Sequence, residues 1–242
     1  MFKRFIISLY TVSLCFTMFA QQEEPLQPKD SIQQEECYEL TNPGARVLYA
    51  NYYGKMFQYY FEKTVKEVKD ENGTKSIQYL WRGLNKKKKP SKYFNIMGLG
   101  EGYITMVKIE NGAYYMTYDF GWSCFPGERS GYLLKIPQNL KVGDVLEGGT
   151  LKFVSKGGTG KTFKNNELSC VDFKVVDESE LETKAGKIRC LKITGKIIGT
   201  CNTLEINTTE TYYIAKNIGI VRQESSTGST FEAVEIDYGE EP

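Results

Sequence analysis

Residues 103–120 read Tyr-Ile-Thr-Met-Val-Lys-Ile-Glu-Asn-Gly-Ala-Tyr-Tyr-Met-Thr-Tyr-Asp-Phe. Tyr103, Thr105, Val107 and Ile109 recur at every second position, as do Tyr114, Met116, Tyr118 and Phe120. A period of two places these side chains on one face of an extended chain. Between the two runs, Asn111-Gly112 supplies the positive φ angles that a tight hairpin turn requires. The stretch therefore predicts two antiparallel strands joined by a short turn.

The same reading extends in both directions. Phe57, Tyr59, Phe61 and Val65 alternate with Gln58, Tyr60, Glu62 and Thr64, and Ile77, Tyr79 and Trp81 continue the pattern. Val171, Phe173 and Val175 follow, then Ile206, Thr208, Tyr212 and Ile214, then Val234, Ile236 and Tyr238. Asn72-Gly73, Gly157-Gly158 and Ala185-Gly186 punctuate them, and no segment holds a helical stripe over three turns. Links this short favour antiparallel neighbours, because parallel strands need long crossovers. The expectation is an all-β domain over residues 37–242, an antiparallel β-sandwich or partly closed β-barrel of roughly ten to twelve strands.

Residues 1–20 carry Lys3 and Arg4 ahead of the apolar run Phe5–Ala20, the pattern of an export signal peptide. Leu14 before Cys15 lacks the small residue that lipoprotein processing prefers. Residues 21–36, QQEEPLQPKDSIQQEE, have no apolar period and read as a disordered tether. Ser31, in Asp30-Ser31-Ile32, matches a short acceptor pattern for O-glycosylation in exported bacterial proteins, and Asn72 and Asn207 match the N-glycosylation pattern. No later segment approaches ~18 consecutive apolar residues, so no transmembrane span is expected after signal removal. The expected location is the periplasm, the outer surface or the medium.

Composition removes whole classes of function. The chain has 31 basic and 30 acidic residues and no histidine. Imidazole bases, Ser-His-Asp nucleophiles and His-containing zinc sites are excluded, and a near-zero net charge argues against nucleic acid as a partner. Lys156-Gly157-Gly158-Thr159-Gly160-Lys161-Thr162 matches the lysine-first P-loop, which cradles phosphate only where a helix follows the glycines. Here an alternating segment follows, so the stretch reads as a hairpin loop and no cofactor is assigned. Lys86, Lys87, Lys88, Lys89 and Lys92 form a basic run with two readings, a solvated connection or a contact for an anionic surface. Glu178, Glu180 and Glu182 share one strand face, which reads as a wet surface more readily than as a catalytic pair.

Five cysteines follow the leader: Cys37, Cys124, Cys170, Cys190 and Cys201. With Ala185-Gly186 at the centre of a hairpin, Cys170 would face Cys201 and bridge to it, while Cys190 would face Leu181. The other reading makes all of them small buried apolar residues.

Three segments carry a family resemblance: Ser130–Pro137 with Leu140–Asp144, Ala185–Ile193, and Glu210–Val221. Residues 46–238 resemble TapB-like exported proteins of the Bacteroidota. That resemblance implies an all-β envelope protein with no catalytic set to transfer. Two functions stand open. One is a non-catalytic binding or scaffold module for a small apolar or glycan ligand or an envelope protein; the other is a carboxylate-dependent enzyme such as a glycoside-processing activity. A close Asp/Glu pair at the mouth of a concave sheet would favour the second.

Overall fold

The computed structural model describes residues 37–91, 102–120, 128–156 and 162–239. The signal-peptide and tether readings, with Ser31, lie outside the described residues, as do Lys92, Cys124 and Gly157–Lys161.

The described chain is all-β. Its strands are β1 (Arg46–Tyr53), β2 (Met56–Glu71), β3 (Thr74–Leu84), β4 (Tyr103–Glu110), β5 (Ala113–Met116), β6 (Arg129–Gly131) and β7 (Leu134–Pro137). There follow β8 (Glu147–Gly148), β9 (Thr150–Lys156), β10 (Thr162–Thr183), β11 (Gly186–Cys201), β12 (Leu204–Ala215), β13 (Gly219–Ser225) and β14 (Ser229–Asp237). They form one antiparallel sheet in the order β6-β9-β10-β11-β12-β13-β14-β1-β2-β3-β4-β5-β7-β8. This is two strands more than the upper sequence estimate, because β6 and β8 are too short to show any period.

The turns follow the residues predicted for them. Glu71 pairs with Thr74 around Asn72-Gly73, with φ angles of 54° and 78°, and Glu110 pairs with Ala113 around Asn111-Gly112, at 51° and 67°. Both are two-residue hairpins whose positive φ suits the twist of the flanking strands.

The ladder does not close into a barrel, but its ends approach one another. Residues 143–149 reach across to β10: Leu146 N–H donates to Phe173 O (2.9 Å), Val175 N–H to Asp144 O (2.9 Å) and Cys170 N–H to Gly149 O (3.1 Å). The concave face holds the main core, including Val47, Tyr49, Phe61, Trp81, Val107, Tyr114, Phe173 and Ile193.

One expected core residue lies on the other face. The β1–β2 register shifts between Asn51–Tyr59 and Tyr52–Phe57, leaving Gln58 as an extra residue. Such a bulge reverses side-chain parity. Phe57 therefore packs outside with Tyr52 and Tyr60, against Leu48, Ala50, Leu84 and Val234.

Two irregular segments fill the interior of the curl. Cys37–Leu40 is buried throughout, tied by Asn217 N–H to Cys37 O (2.7 Å) and by Tyr79 Oη to Leu40 O (2.7 Å). Tyr118–Phe120 is buried as well.

Candidate functional site

A cleft of about 540 Å³ lies between the outer face of β4–β5 and the segment Arg129–Tyr132. Alternation buries Tyr103, Thr105 and Val107 of β4 and turns Ile104 and Met106 outward, where they are 57% and 53% exposed. Both apolar side chains line the cleft. Tyr115 and Tyr132 meet edge to face at 5.2 Å between ring centres, and Lys108 and Arg129 complete the basic part of the wall. The Arg129 guanidinium lies 5.8 Å from the centre of the Tyr103 ring.

Behind this wall Tyr132 Oη donates to Glu147 Oε1 (2.7 Å) and Lys135 Nζ to Glu147 Oε2 (3.1 Å). The hydrogen bond from Tyr132, then that from Lys135, holds the Glu147 carboxyl below the usual range, and the same bond raises the Tyr132 hydroxyl. Glu147 is thus a fixed carboxylate that orients Tyr132. The cleft combines apolar contact area, aromatic edges and positive charge, the combination that ligand sites use.

Two acidic groups inside the curl are not predicted from the sequence. Glu39, on the segment Cys37–Leu40, forms an ion pair with Lys63 of β2, and Tyr118 Oη donates to Glu39 Oε2 (3.1 Å). The Lys63 ammonium lies 4.6 Å from the centre of the Tyr79 ring. Asp119 takes hydrogen bonds on Oδ2 from Tyr212 Oη (2.7 Å) and Gln223 Nε2 (2.6 Å). Gln223 Nε2 also reaches Glu210 Oε2 (3.0 Å), and Ser225 Oγ donates to Glu210 Oε1 (2.7 Å). Burial, then the charge of Asp119, pushes the Glu210 carboxyl up to about 7.

Asp119 and Glu210 therefore form a close carboxyl pair, but neither side chain reaches solvent. Gln223 and Ser225 separate them from a second, smaller cavity of about 290 Å³, walled by Tyr53, Tyr59, Phe120 and Phe231. A signal for both buried groups exists in the sequence. The alternations Tyr59-Phe61-Val65 and Ile206-Thr208-Tyr212-Ile214 each step over one inward position, and those positions hold Lys63 and Glu210.

The residues singled out from the sequence are dispersed. Lys86, Lys87, Lys88 and Lys89 occupy an exposed turn after β3, where the Asn85 side chain accepts from Lys87 N–H (2.8 Å) and Lys89 N–H (3.3 Å). Lys88 pairs with Glu235 and lies over Tyr60. Glu178 and Glu180 pair with Arg189 (2.7 Å) and Lys187 (3.5 Å) across the β10–β11 hairpin, and Glu178, Glu180 and Glu182 are all exposed. β10 follows the glycine-rich stretch after β9 as a strand, so the helix that a P-loop needs does not stand there. Among the described residues no group of three or more His, Cys, Asp or Glu could hold a metal ion.

The cysteine register needs correction. The turn centres on Lys184-Ala185, since Thr183 pairs with Gly186, and β10 carries extra residues near Asp172 and between Val175 and Asp177. Both effects move Cys170 opposite Ile197, four residues from Cys201, or ~13 Å of strand. Cys170 and Cys201 are separate buried thiols. Cys190 faces Ser179 rather than Leu181.

Solved structures share this fold. A Bacteroides fragilis protein described as exported, with a YmcC-like fold, aligns with a TM-score of 0.64 at 17% identity over 84% of this chain and 99% of its own. A Parabacteroides distasonis protein described as a lipoprotein aligns with a TM-score of 0.62 at 14% identity, again over 84% and 99%. No curated protein matches the chain. Among the described residues no helix is long and apolar enough to cross a membrane. The DUF3108-like family model matches residues 43–230, and the chain belongs to that family.

Proposed function

We propose that the protein is an exported cell-envelope binding module of the TapB-like kind, periplasmic or at the outer surface, that engages its partner without catalysis through the cleft between β4 and Arg129–Tyr132. The observation that carries this reading is the pair of exposed apolar side chains, Ile104 and Met106, set among Tyr115, Tyr132 and two basic groups. Isolated surface apolar residues are ordinary, but an apolar patch that lines a concave, polar-rimmed site marks a place where something binds. The one acidic side chain of the cleft wall is Glu110, and Glu147 behind the wall is held by Tyr132 and Lys135.

The carboxylate-enzyme reading keeps one specific support, the Asp119–Glu210 pair behind the smaller aromatic cavity. A glycoside-processing site needs its carboxyls in contact with substrate, and here Gln223 and Ser225 intervene.

Native mass spectrometry of protein recovered from its own envelope tests the choice. The binding reading expects a non-covalent adduct that Ile104→Glu removes. Turnover of a glycan panel that Glu210→Gln abolishes would overturn it.

A further inference from the structure

The backbone of β4 bears on what enters the cleft. Because Glu110 and Ala113 flank a two-residue turn, they exchange both backbone hydrogen bonds. Alternation then directs the N–H and C=O groups of Lys108, Met106 and Ile104 toward the β5 side, and those of Thr105 and Val107 toward β3. β5 pairs with β4 only at Lys108–Glu110. Beyond that point Thr117 Oγ1 donates to Met106 O (3.0 Å), and no strand among the described residues lies along this edge of Ile104–Met106.

The cleft lies over the outer face of β4 and reaches this edge at Thr117. Thr105 belongs to its wall although the side chain is buried and accepts from Trp81 Nε1 (2.8 Å), so it meets the cleft through its backbone. Gly131, on the opposite wall, has only backbone to offer. Opposite β4 stands β6, the end strand of the whole ladder, with β9 on its other side. Two strand edges thus flank one opening, and Ile104 and Met106 stand at alternate positions beside it, the spacing at which an added strand places its own side chains. The charged side chains of the wall are Lys108, Arg129 and Glu110, two basic to one acidic, and Lys108 forms no ion pair among the described residues.

We propose that the cleft accepts an extended peptide segment of a partner protein, which adds as a strand to the open edge of β4 and presents a carboxylate to Lys108 and Arg129. This inference rests on the binding reading above and specifies its ligand class. Main-chain hydrogen bonds to Ile104 and Met106 supply the affinity, while the apolar pair and the two cations select the side chains.

The probe is a capped peptide of about six residues, Thr-Val-Glu-Val-Thr-Val, titrated into the full chain while amide exchange is followed residue by residue by NMR. The Ile104 and Met106 amides should slow at least about tenfold on binding, with Thr105 and Val107, already turned toward β3, unchanged. Methylating alternate peptide nitrogens should abolish the effect, and Lys108→Glu should weaken binding about fivefold. Anilinonaphthalene sulfonate, an apolar anion with no backbone, provides the second arm. If the dye binds and Ile104→Glu removes it, while the peptide leaves the Ile104 and Met106 amides unprotected at millimolar concentration, strand addition is wrong and the binding reading stands. If neither probe engages the cleft, both are wrong.

Discussion

Lys63 donates to Glu39 in the interior of the curled sheet, with both side chains fully excluded from solvent. A desolvated pair of this kind contributes little net stability, yet removing one partner leaves the other buried and uncompensated. Lys63→Met should therefore destabilise the protein by ~3–5 kcal/mol. Adding Glu39→Leu should recover most of that loss. Urea melts of the two variants check it, and a double variant as unstable as the single one would mean that Lys63 acts through its aromatic neighbours rather than through Glu39.

The Asp119–Glu210 pair predicts a pH dependence with a definite sign. Glu210 titrates at about 7 in the folded chain, against an ordinary 4.5, because burial and then Asp119 disfavour its charge. A carboxyl whose folded value is raised stabilises the fold fully below its unfolded value. That contribution is lost as pH rises from about 4.5 through about 7, and it amounts to roughly 3 kcal/mol. The melting temperature should fall between pH 5 and pH 8, and Glu210→Gln should flatten the slope. An equally steep slope in the variant would assign the effect to other groups.

Gly195 shows why one strand position tolerates no side chain. A Cβ there would stand 2.4 Å from Phe173 Cγ, and the Phe173 ring stacks on Tyr212 at 5.6 Å. Gly195→Ala should cost about 1–3 kcal/mol by overpacking. Combining it with Phe173→Leu should cost less than the sum of the two single changes, as a double-mutant cycle would measure.

The thiols should resist reaction in the folded state. Burial pushes Cys190 up to about 12 and Cys201, with a further contribution from Asp119, up to about 11, so the thiolate is scarce at pH 8. Alkylation should label Cys170, Cys190 and Cys201 only after denaturation. Non-reducing peptide maps should lack a Cys170–Cys201 link.

The strands were legible because period two persists wherever one face is buried, as from Tyr103 to Ile109. Register was not, because a single bulge carries no compositional mark. The extra residue Gln58 turns Phe57 outward, and those near Asp172 and between Val175 and Asp177 shift Cys170 away from Cys201. The cleft was hidden for a related reason. Ile104 and Met106 read only as the polar-side half of an alternating strand, and no period shows that Arg129–Tyr132 stands opposite them. Glu39 and Asp119 were hidden because they sit on irregular segments, whose burial is decided by the curl of the sheet around them.

In the proposed binding role, the cleft beside β4 is where the protein meets its partner. A photo-crosslinking amino acid at position 104, compared with one at the equally exposed Val142 away from the cleft, tests it most directly in the native envelope. Binding at the cleft should give a discrete adduct from position 104, suppressed by Lys108→Glu, and none from position 142. Equal labelling at both positions, or none at 104, would contradict it.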